Sequence, residues 1–275
     1  SYRLPVLADL DGDKLPEILL TDSHGYLLAL DNKGRVRLAL QATRYRLSPP
    51  VVADVDGDGH PEMFFSDDDQ EVICTDYQGR VRWTRKVEGR FGRALPLVAD
   101  TAGDGRYKLL IPSSFVGVKP GIWALDALTG EVQWKAESLL QTYQSTVVAD
   151  IDGDGKQEML YADKSTTVFC ADAQGKRLWS TLLDGRGIFF APAVADLDGT
   201  GQATIFQAAR DQGRGEMFLL HADFPRVPTP AQLGQPLLQD LGANHLWRRD
   251  CQRLGDRQFG FGLVESQAGL APALR

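Results

Sequence analysis

At 275 residues the chain can bury a large core, either as one repetitive domain or as two ordinary ones. Its formal charge of −7 argues against a general nucleic-acid binder, which must neutralise phosphates with Lys and Arg. No run approaches the ~18 apolar residues of a membrane span, and three cysteines without a Cys-x-x-Cys pair indicate no disulfide framework.

In chain order, one unit recurs. A short apolar segment, Pro5-Val-Leu-Ala, leads into an acidic loop opening at Asp9, and Glu17-Ile-Leu-Leu follows it. The same arrangement opens at Asp54, Asp100, Asp150 and Asp196, with spacings of 45, 46, 50 and 46. Self-similarity at such a period marks a repeat architecture. The second half of the unit repeats too, as Tyr26–Asp31, Glu71–Asp76, Gly121–Asp126 and Thr167–Asp172. Each of these reads as a third strand running into a polar turn with Gly34, Gly79, Gly130 or Gly175, the chemistry a hairpin requires. Four residues after each glycine stand Leu38, Trp83, Trp134 and Trp179, which are expected to fill the gap between neighbouring units. Cys74 and Cys170 occupy equivalent third-strand positions and read as small buried residues.

Four short strands in about 46 residues make one blade of an all-β propeller of four-stranded antiparallel blades. Five blades are expected over 1–224, at about 1–43, 44–89, 90–140, 141–185 and 186–224. The remaining 225–275 reads as a degenerate sixth blade closing the same domain. Asp240 lies 44 residues after Asp196, and Gln258–Val264 reads as a later strand.

The acidic loops place carboxylates at positions 1, 3, 5 and 9. Loop 1 carries Asp9, Asp11, Asp13 and Glu17; loop 2 carries Asp54, Asp56, Asp58 and Glu62; loop 4 carries Asp150, Asp152, Asp154 and Glu158. Like charges converging this closely repel unless a cation sits among them. Hard oxygen ligands in a flexible glycine loop suit calcium, although an EF-hand would need its last acid at position 12. About three Ca²⁺ sites are therefore expected. Their six positive charges would take the net charge from −7 to about −1.

The other loops have diverged. Loop 3 has Ala102 and Lys108 at positions 3 and 9, so it is expected to be metal-free, with the lysine ammonium between Asp100 and Asp104. Loop 5 keeps Asp196 and Asp198, with Thr200 as a third, weaker ligand. The sixth loop would carry Arg248 at position 9 and is also expected to be metal-free.

The Asp-x-Asp-Gly-Asp-Gly-x-x-Glu loop between apolar strands resembles the FG-GAP/VCBS repeats of integrin-alpha-type calcium-binding propellers. Phe91-Gly-Arg-Ala-Leu-Pro96 is similar to that family's opening Phe-Gly…Pro segment. The resemblance covers 1–224 well and 225–275 poorly, and it speaks to fold more than to function. Ala124–Trp134 also resembles the tryptophan motif of quinoprotein-type propellers, without a cofactor site behind it.

In such a blade the calcium loops and glycine turns share one face, and the linkers between blades lie on the other. The linkers place Arg44, Tyr45 and Arg46, then Arg90, Phe91 and Arg93, then Tyr143, then Arg186, Phe189 and Phe190 there. Arginine beside aromatics can grip an anionic group with paired hydrogen bonds while rings stack on sugars or side chains. The alternative is that the aromatics plug the gaps between blades and the arginines are solvated.

Evidence for catalysis is thin. The four histidines are scattered, no Gly-x-Ser-x-Gly elbow, HExxH or phosphate loop occurs, and the acid pairs are committed to metal. Asp67-Asp-Asp69 reads as a solvated turn. The expectation is a non-enzymatic, calcium-stabilised module binding a glycan or protein partner outside the cytoplasm, at the surface or in a periplasm. A polysaccharide lyase or a structural module of a larger protein are the alternatives. No signal peptide precedes Ser1, and the absence of an initiator Met suits a processed or trimmed chain, which is compatible with export.

Overall fold

The computed structural model describes residues 4–89, 95–113, 120–142, 146–183, 190–196, 203–211, 214–221, 246–249 and 259–264. All elements among them are strands. The first sheet is β1 (Val6–Ala8), β2 (Glu17–Thr21), β3 (Tyr26–Leu30) and β4 (Val36–Gln41); the second is β5 (Val51–Ala53), β6 (Glu62–Ser66), β7 (Glu71–Thr75) and β8 (Val81–Lys86). The third is β9 (Leu97–Ala99), β10 (Lys108–Ser113), β11 (Gly121–Asp126) and β12 (Val132–Glu137). The fourth is β13 (Val147–Ala149), β14 (Glu158–Ala162), β15 (Thr167–Ala171) and β16 (Arg177–Leu182). Each is an antiparallel meander, with strands neighbouring in sequence order. The fold is the expected β-propeller.

Burial follows strand position. The two middle strands are covered on both faces, so they read as unbroken apolar runs; every residue of β6, β14 and β15 is buried. The outer β8 lies largely in solvent and reads as alternating charge and bulk, Val-Arg-Trp-Thr-Arg-Lys. Four apolar clusters join consecutive sheets. Leu19 and Leu27 of the first sheet meet Met63 and Phe65 of the second, for example, and Phe64 and Val72 of the second meet Leu109 and Ile111 of the third.

The hairpin glycines have a double role. Gly79, Gly130 and Gly175 take φ of 80°, 71° and 75°, a region only glycine enters freely. Their missing side chains also make room for the preceding blade. A Cβ on Gly79 would lie 2.7 Å from Leu38 Cδ1, one on Gly130 2.6 Å from Trp83 Cε3, and one on Gly175 2.4 Å from Trp134 Cε3. The bulky residues of β4, β8 and β12, Leu38, Trp83 and Trp134, thus dock on the next blade's turn, as their recurrence in the sequence suggests. Trp83 adds a hydrogen bond from Nε1 to the Ala127 carbonyl at 3.1 Å.

The fifth sheet departs from the pattern. It orders β17 (Ala193–Ala195), β18 (Thr204–Asp211), β19 (Arg214–His221), β21 (Phe259–Val264) and β20 (Leu246–Arg249). Strand β21 pairs in parallel with β19, so a tail segment takes the outer position that β4, β8, β12 and β16 hold in their own sheets. The expected later strand at 258–264 therefore exists, and it is attached to the fifth sheet. Beyond β20 and β21 the tail, including Asp240 and Cys251, lies outside the described residues.

Candidate functional site

The acidic loops join the first and second strands of each sheet, and one scaffold recurs in all four described completely. The first aspartate accepts backbone N–H groups with both oxygens: Asp9 from Gly12 and Lys14, Asp54 from Gly57 and Gly59, Asp150 from Gly153 and Gly155. Asp100 of loop 3 does the same with Gly103 and Gly105, at 2.8 Å each. Position 1 therefore folds the loop, whatever the other positions carry. These bonds hold the Asp100 carboxyl below its usual range, with the Gly105 amide the largest cause.

The glutamate at position 9 works from the other side. Glu17, Glu62 and Glu158 are buried, and each accepts the N–H of the residue after the first aspartate, Leu10, Val55 or Ile151, at 2.9–3.2 Å on Oε2. Their carboxylates tie the second strand back to the loop's entry. Burial pushes the Glu158 carboxyl up, and the Asp152, Asp154 and Asp150 charges add to that, against the Ile151 hydrogen bond.

The remaining carboxylates converge. Oxygens of Asp9, Asp11 and Asp13, of Asp54, Asp56 and Asp58, and of Asp150, Asp152 and Glu158 lie within 4.8 Å of one another in each group. That separation lets the oxygens of a group share an ion at the roughly 2.3–2.6 Å of a calcium bond, so the donor set fits calcium. Glu17 and Glu62 fall outside the first two groups, and Asp154 outside the third, where its Oδ2 pairs with Lys156 Nζ at 2.9 Å. In loop 2 an arginine sits among the acids: Arg82 Nη1 lies 2.7 Å from Asp56 Oδ2 and 2.5 Å from Glu62 Oε1. In loop 1 Arg37 Nη2 reaches Asp11 Oδ2 at 3.1 Å.

Lys108 of loop 3 makes no ion pair with Asp100 or Asp104 among the described residues, so its ammonium does not take the expected place between them; Asp100 is held by the Gly103 and Gly105 amides. In loop 5, Asp196 is described and Asp198 and Thr200 lie outside the described residues.

The opposite rim carries the turns between second and third strands, together with the linkers. Hydrogen bonds place the first linker against the turns of both blades it joins. In the first linker, Leu47 N–H bonds the Asp22 carbonyl at 3.1 Å, and the Arg46 carbonyl accepts Asp68 N–H at 3.2 Å. Arg44 and Tyr45 are exposed there and Arg46 is half-buried. No hydrogen bond or ion pair engages either guanidinium among the described residues. Leu139 and Leu140 of the third linker and Phe190 of the fourth are exposed apolar side chains, at 62%, 49% and 59%. Arg90, Phe91, Arg93, Tyr143, Arg186 and Phe189 lie outside the described residues.

This rim holds aspartates whose importance the sequence did not reveal. Asp67, expected in a solvated turn, is fully buried. Its Oδ1 accepts Asp69 and Glu71 N–H at 2.8 and 2.9 Å, and its Oδ2 accepts the Thr43 hydroxyl at 2.8 Å. Asp163 is its counterpart two blades on, accepting Leu139 and Leu140 N–H at 2.9 and 2.7 Å on Oδ2. The recurrence of an aspartate after the second strand, as Asp22, Asp67 and Asp163, was the signal available, although the third unit has Ser113 there. The neighbouring Asp68 and Asp69 masked it. Cys74 and Cys170 are buried and free, as expected, and burial pushes the Cys74 thiol up to about 12. No helix among the described residues is long and apolar enough to cross a membrane.

Comparisons with known proteins agree with this architecture. No curated protein matches the chain in sequence. Among solved structures, a rhamnogalacturonan lyase of Bacillus licheniformis is similar over 81% of this chain and 49% of its own, at 21% identity and a TM-score of 0.58. The biofilm matrix protein Bap1 of V. cholerae is similar over 80% and 37%, at 19% identity and 0.55. The quinohemoprotein alcohol dehydrogenase of Comamonas testosteroni is similar over 78% and 42%, at 15% identity and 0.53. The chain spans less than half the length of each, and these likenesses show the fold alone. A family model described as outer membrane protein assembly factor BamB matches residues 23–188, from the turn after β2 to the linker after β16. The tryptophan motif, the lesser of the two likenesses in the sequence, lies within that match. Because the match takes in more than half of the 275 residues, the chain belongs to this PQQ-type repeat family.

Proposed function

We propose that this propeller is a non-enzymatic binding module, stapled by calcium in FG-GAP/VCBS-type loops, that takes a glycan or protein partner on the rim opposite those loops. The observation that carries the reading is the contrast in commitment between the rims. Carboxylates on the loop rim converge with a donor set suited to Ca²⁺. The linker rim exposes Tyr45, Leu139, Leu140 and Phe190 beside the uncommitted Arg44 and Arg46. Apolar surface next to free guanidinium groups fits a ligand with both a flat face and an anionic group. In loops 1 and 4, Asp9, Asp11 and Asp13, and Asp150, Asp152 and Glu158, would hold the metal. Its charge would offset the carboxylate repulsion and fasten two strands of the blade. A loop filled by its own ligands leaves little room for a substrate, so the metal acts on stability.

The likeness to an outer membrane assembly factor and to a biofilm matrix protein supports a place outside the cytoplasm, where millimolar calcium would fill loops of modest affinity. The likeness to a rhamnogalacturonan lyase makes depolymerisation of anionic polysaccharides the activity to assay. Binding to a glycan and protein array, with and without chelator, tests the proposal. The Arg44→Ala/Arg46→Ala double variant is expected to lose the signal. Unchanged binding in that variant would reject the linker rim, and polysaccharide cleavage would replace the module with an enzyme.

A further inference from the structure

Successive blades mate through two rows of residues that the strand register fixes. Each sheet presents to the blade after it a row running outward from its inner strand, as Val51, Phe64, Cys74 and Trp83 do in the second sheet. It receives the blade before it on the opposite face, to which the pleat assigns the alternate residues, Val52 and Met63 in that sheet. Second-strand residues show whether each face is covered. On the presenting side Leu19, Phe64, Leu110 and Leu160 are all 0% exposed, whereas their counterpart in the fifth sheet, Phe206, is only half-buried. On the receiving side Met63, Leu109, Met159 and Ile205 are at most 1% exposed, whereas Ile18 of the first sheet is half-buried. One apolar face is thus left over at each end of the array of blades. The first sheet leaves Leu7 and Val36 in solvent, in register with half-buried Ile18 and Leu30. Its hairpin turn is open as well: a Cβ on Gly34 would meet nothing within 4 Å, where Gly79, Gly130 and Gly175 each lie under a bulky side chain of the preceding blade. The fifth sheet leaves Ala193 exposed in register with Phe206, and Leu219 and Leu263 continue that row. Leu263 therefore holds the register position of Leu38, Trp83, Trp134 and Trp179 on the other outer strands.

We propose that these two faces mate between copies of this chain, the fifth sheet of one molecule docking head to tail on the first sheet of the next. The contact repeats one that the fold already makes between each pair of consecutive sheets, apolar row against apolar row, with Leu263 brought to the open Gly34 turn. A second copy is the fitting occupant because each molecule carries both halves of the contact. Within one molecule the first-sheet face stays open with the fifth sheet in place, as the exposure of Leu7 at 66% and Val36 at 59% records. Contiguous apolar surface of this kind drives association. Two different patches make a heterologous contact, so copies add in series or close into a ring.

Sedimentation of the full chain from nanomolar to high micromolar concentration tests this. Wild type should form species larger than a monomer, in a share that rises with concentration. Leu7→Glu and Ala193→Glu alter exposed positions, so both should melt as wild type does. Each alone should associate more weakly than wild type by roughly 10-fold or more. Mixed, the two should regain wild-type affinity as a one-to-one pair and grow no further, since each keeps the face that the other has lost. Val36→Glu and Ala195→Glu repeat the test on the first and fifth sheets should either variant fail to fold. A wild type that stays monomeric throughout, a Leu7→Glu variant that associates as wild type does, or a mixture that does not pair would each overturn the proposal.

Discussion

The two rims of the propeller solve the same problem in opposite ways. Each must hold adjacent strands together where the backbone turns and its N–H groups lose their ladder partners. On the loop rim this is done by aspartates in solvent: Asp54 and Asp150 are partly or largely exposed and bond only the N–H groups of their own loops. On the linker rim it is done by aspartates inside the protein. Asp67 bonds its own turn and the linker from the preceding blade at once, and Asp163 holds the linker that leads into its blade. An exposed staple leaves its remaining oxygens available to a metal, whereas a buried one is complete within the protein. The difference teaches that the visible acids are the adjustable ones and the hidden acids carry the framework.

The sharpest break in this comparison comes from Asp67→Ala. It strands three donors in a buried turn and is expected to lower stability by about 3 kcal/mol, equally in calcium and in chelator, as read from denaturant midpoints. Loop-rim behaviour should be the reverse. With calcium at about 100-fold over the dissociation constant, metal stabilises the fold by about 2.7 kcal/mol; thermal melts in chelator should lose this, and Asp150→Asn should lose the part due to loop 4. An effect of Asp67→Ala that depended on calcium would erase the distinction between the rims.

Acid titration separates the rims further. Hydrogen bonds from the Arg35 backbone, and then from its side chain and the Lys33 backbone, outweigh desolvation and lower the Asp31 carboxyl from 3.8 to about 2. A depressed folded-state value means stability that is fully present above the unfolded value and lost as pH falls from about 4 toward 2. Asp31→Asn should flatten the melting curve against pH in that window, with a lower melting temperature than wild type near neutrality and convergence with it at about pH 2 and below. The smallest stability effect is expected for Arg44→Ala/Arg46→Ala, within about 0.5 kcal/mol. Such a variant, folded and deficient in binding, would assign the linker rim to function and not to the framework.

Much of the fold was legible because each blade repeats its chemistry at fixed offsets. Apolar runs marked the strands, glycines the hairpins, and Trp83 and Trp134 the contacts between blades. The loop scaffold was legible in part. Asp9, Asp54 and Asp150 announce a tight acidic turn, but the same bonding by Asp100 in a loop without acids at positions 3 and 9 shows that the first aspartate folds the loop before it binds anything. Two features escaped. Asp67 looked solvated because its burial comes from a linker more than twenty residues earlier in the chain. The pairing of the tail strand was the other: β21 lies parallel to β19, a choice of partner that strand propensity does not encode.

What the amino-acid sequence determined by itself was therefore everything carried by local period and spacing: the all-β propeller, its unit, the turn chemistry, and the grouping of acids in loops 1, 2 and 4. What only the tertiary structure decided was which groups meet across strands and blades. Arg82 and Leu178 occupy the same position in two repeats and are both ordinary residues for an outer strand. The bulge beside Trp83 lets Arg82 reach the acids of its own blade, whereas Leu178, at the same place beside Trp179, packs on the apolar cluster between the fourth and fifth sheets. The acidic loop starting at Asp54, as complete in the sequence as its twin at Asp150, is for that reason the one that holds a guanidinium against two of its carboxylates.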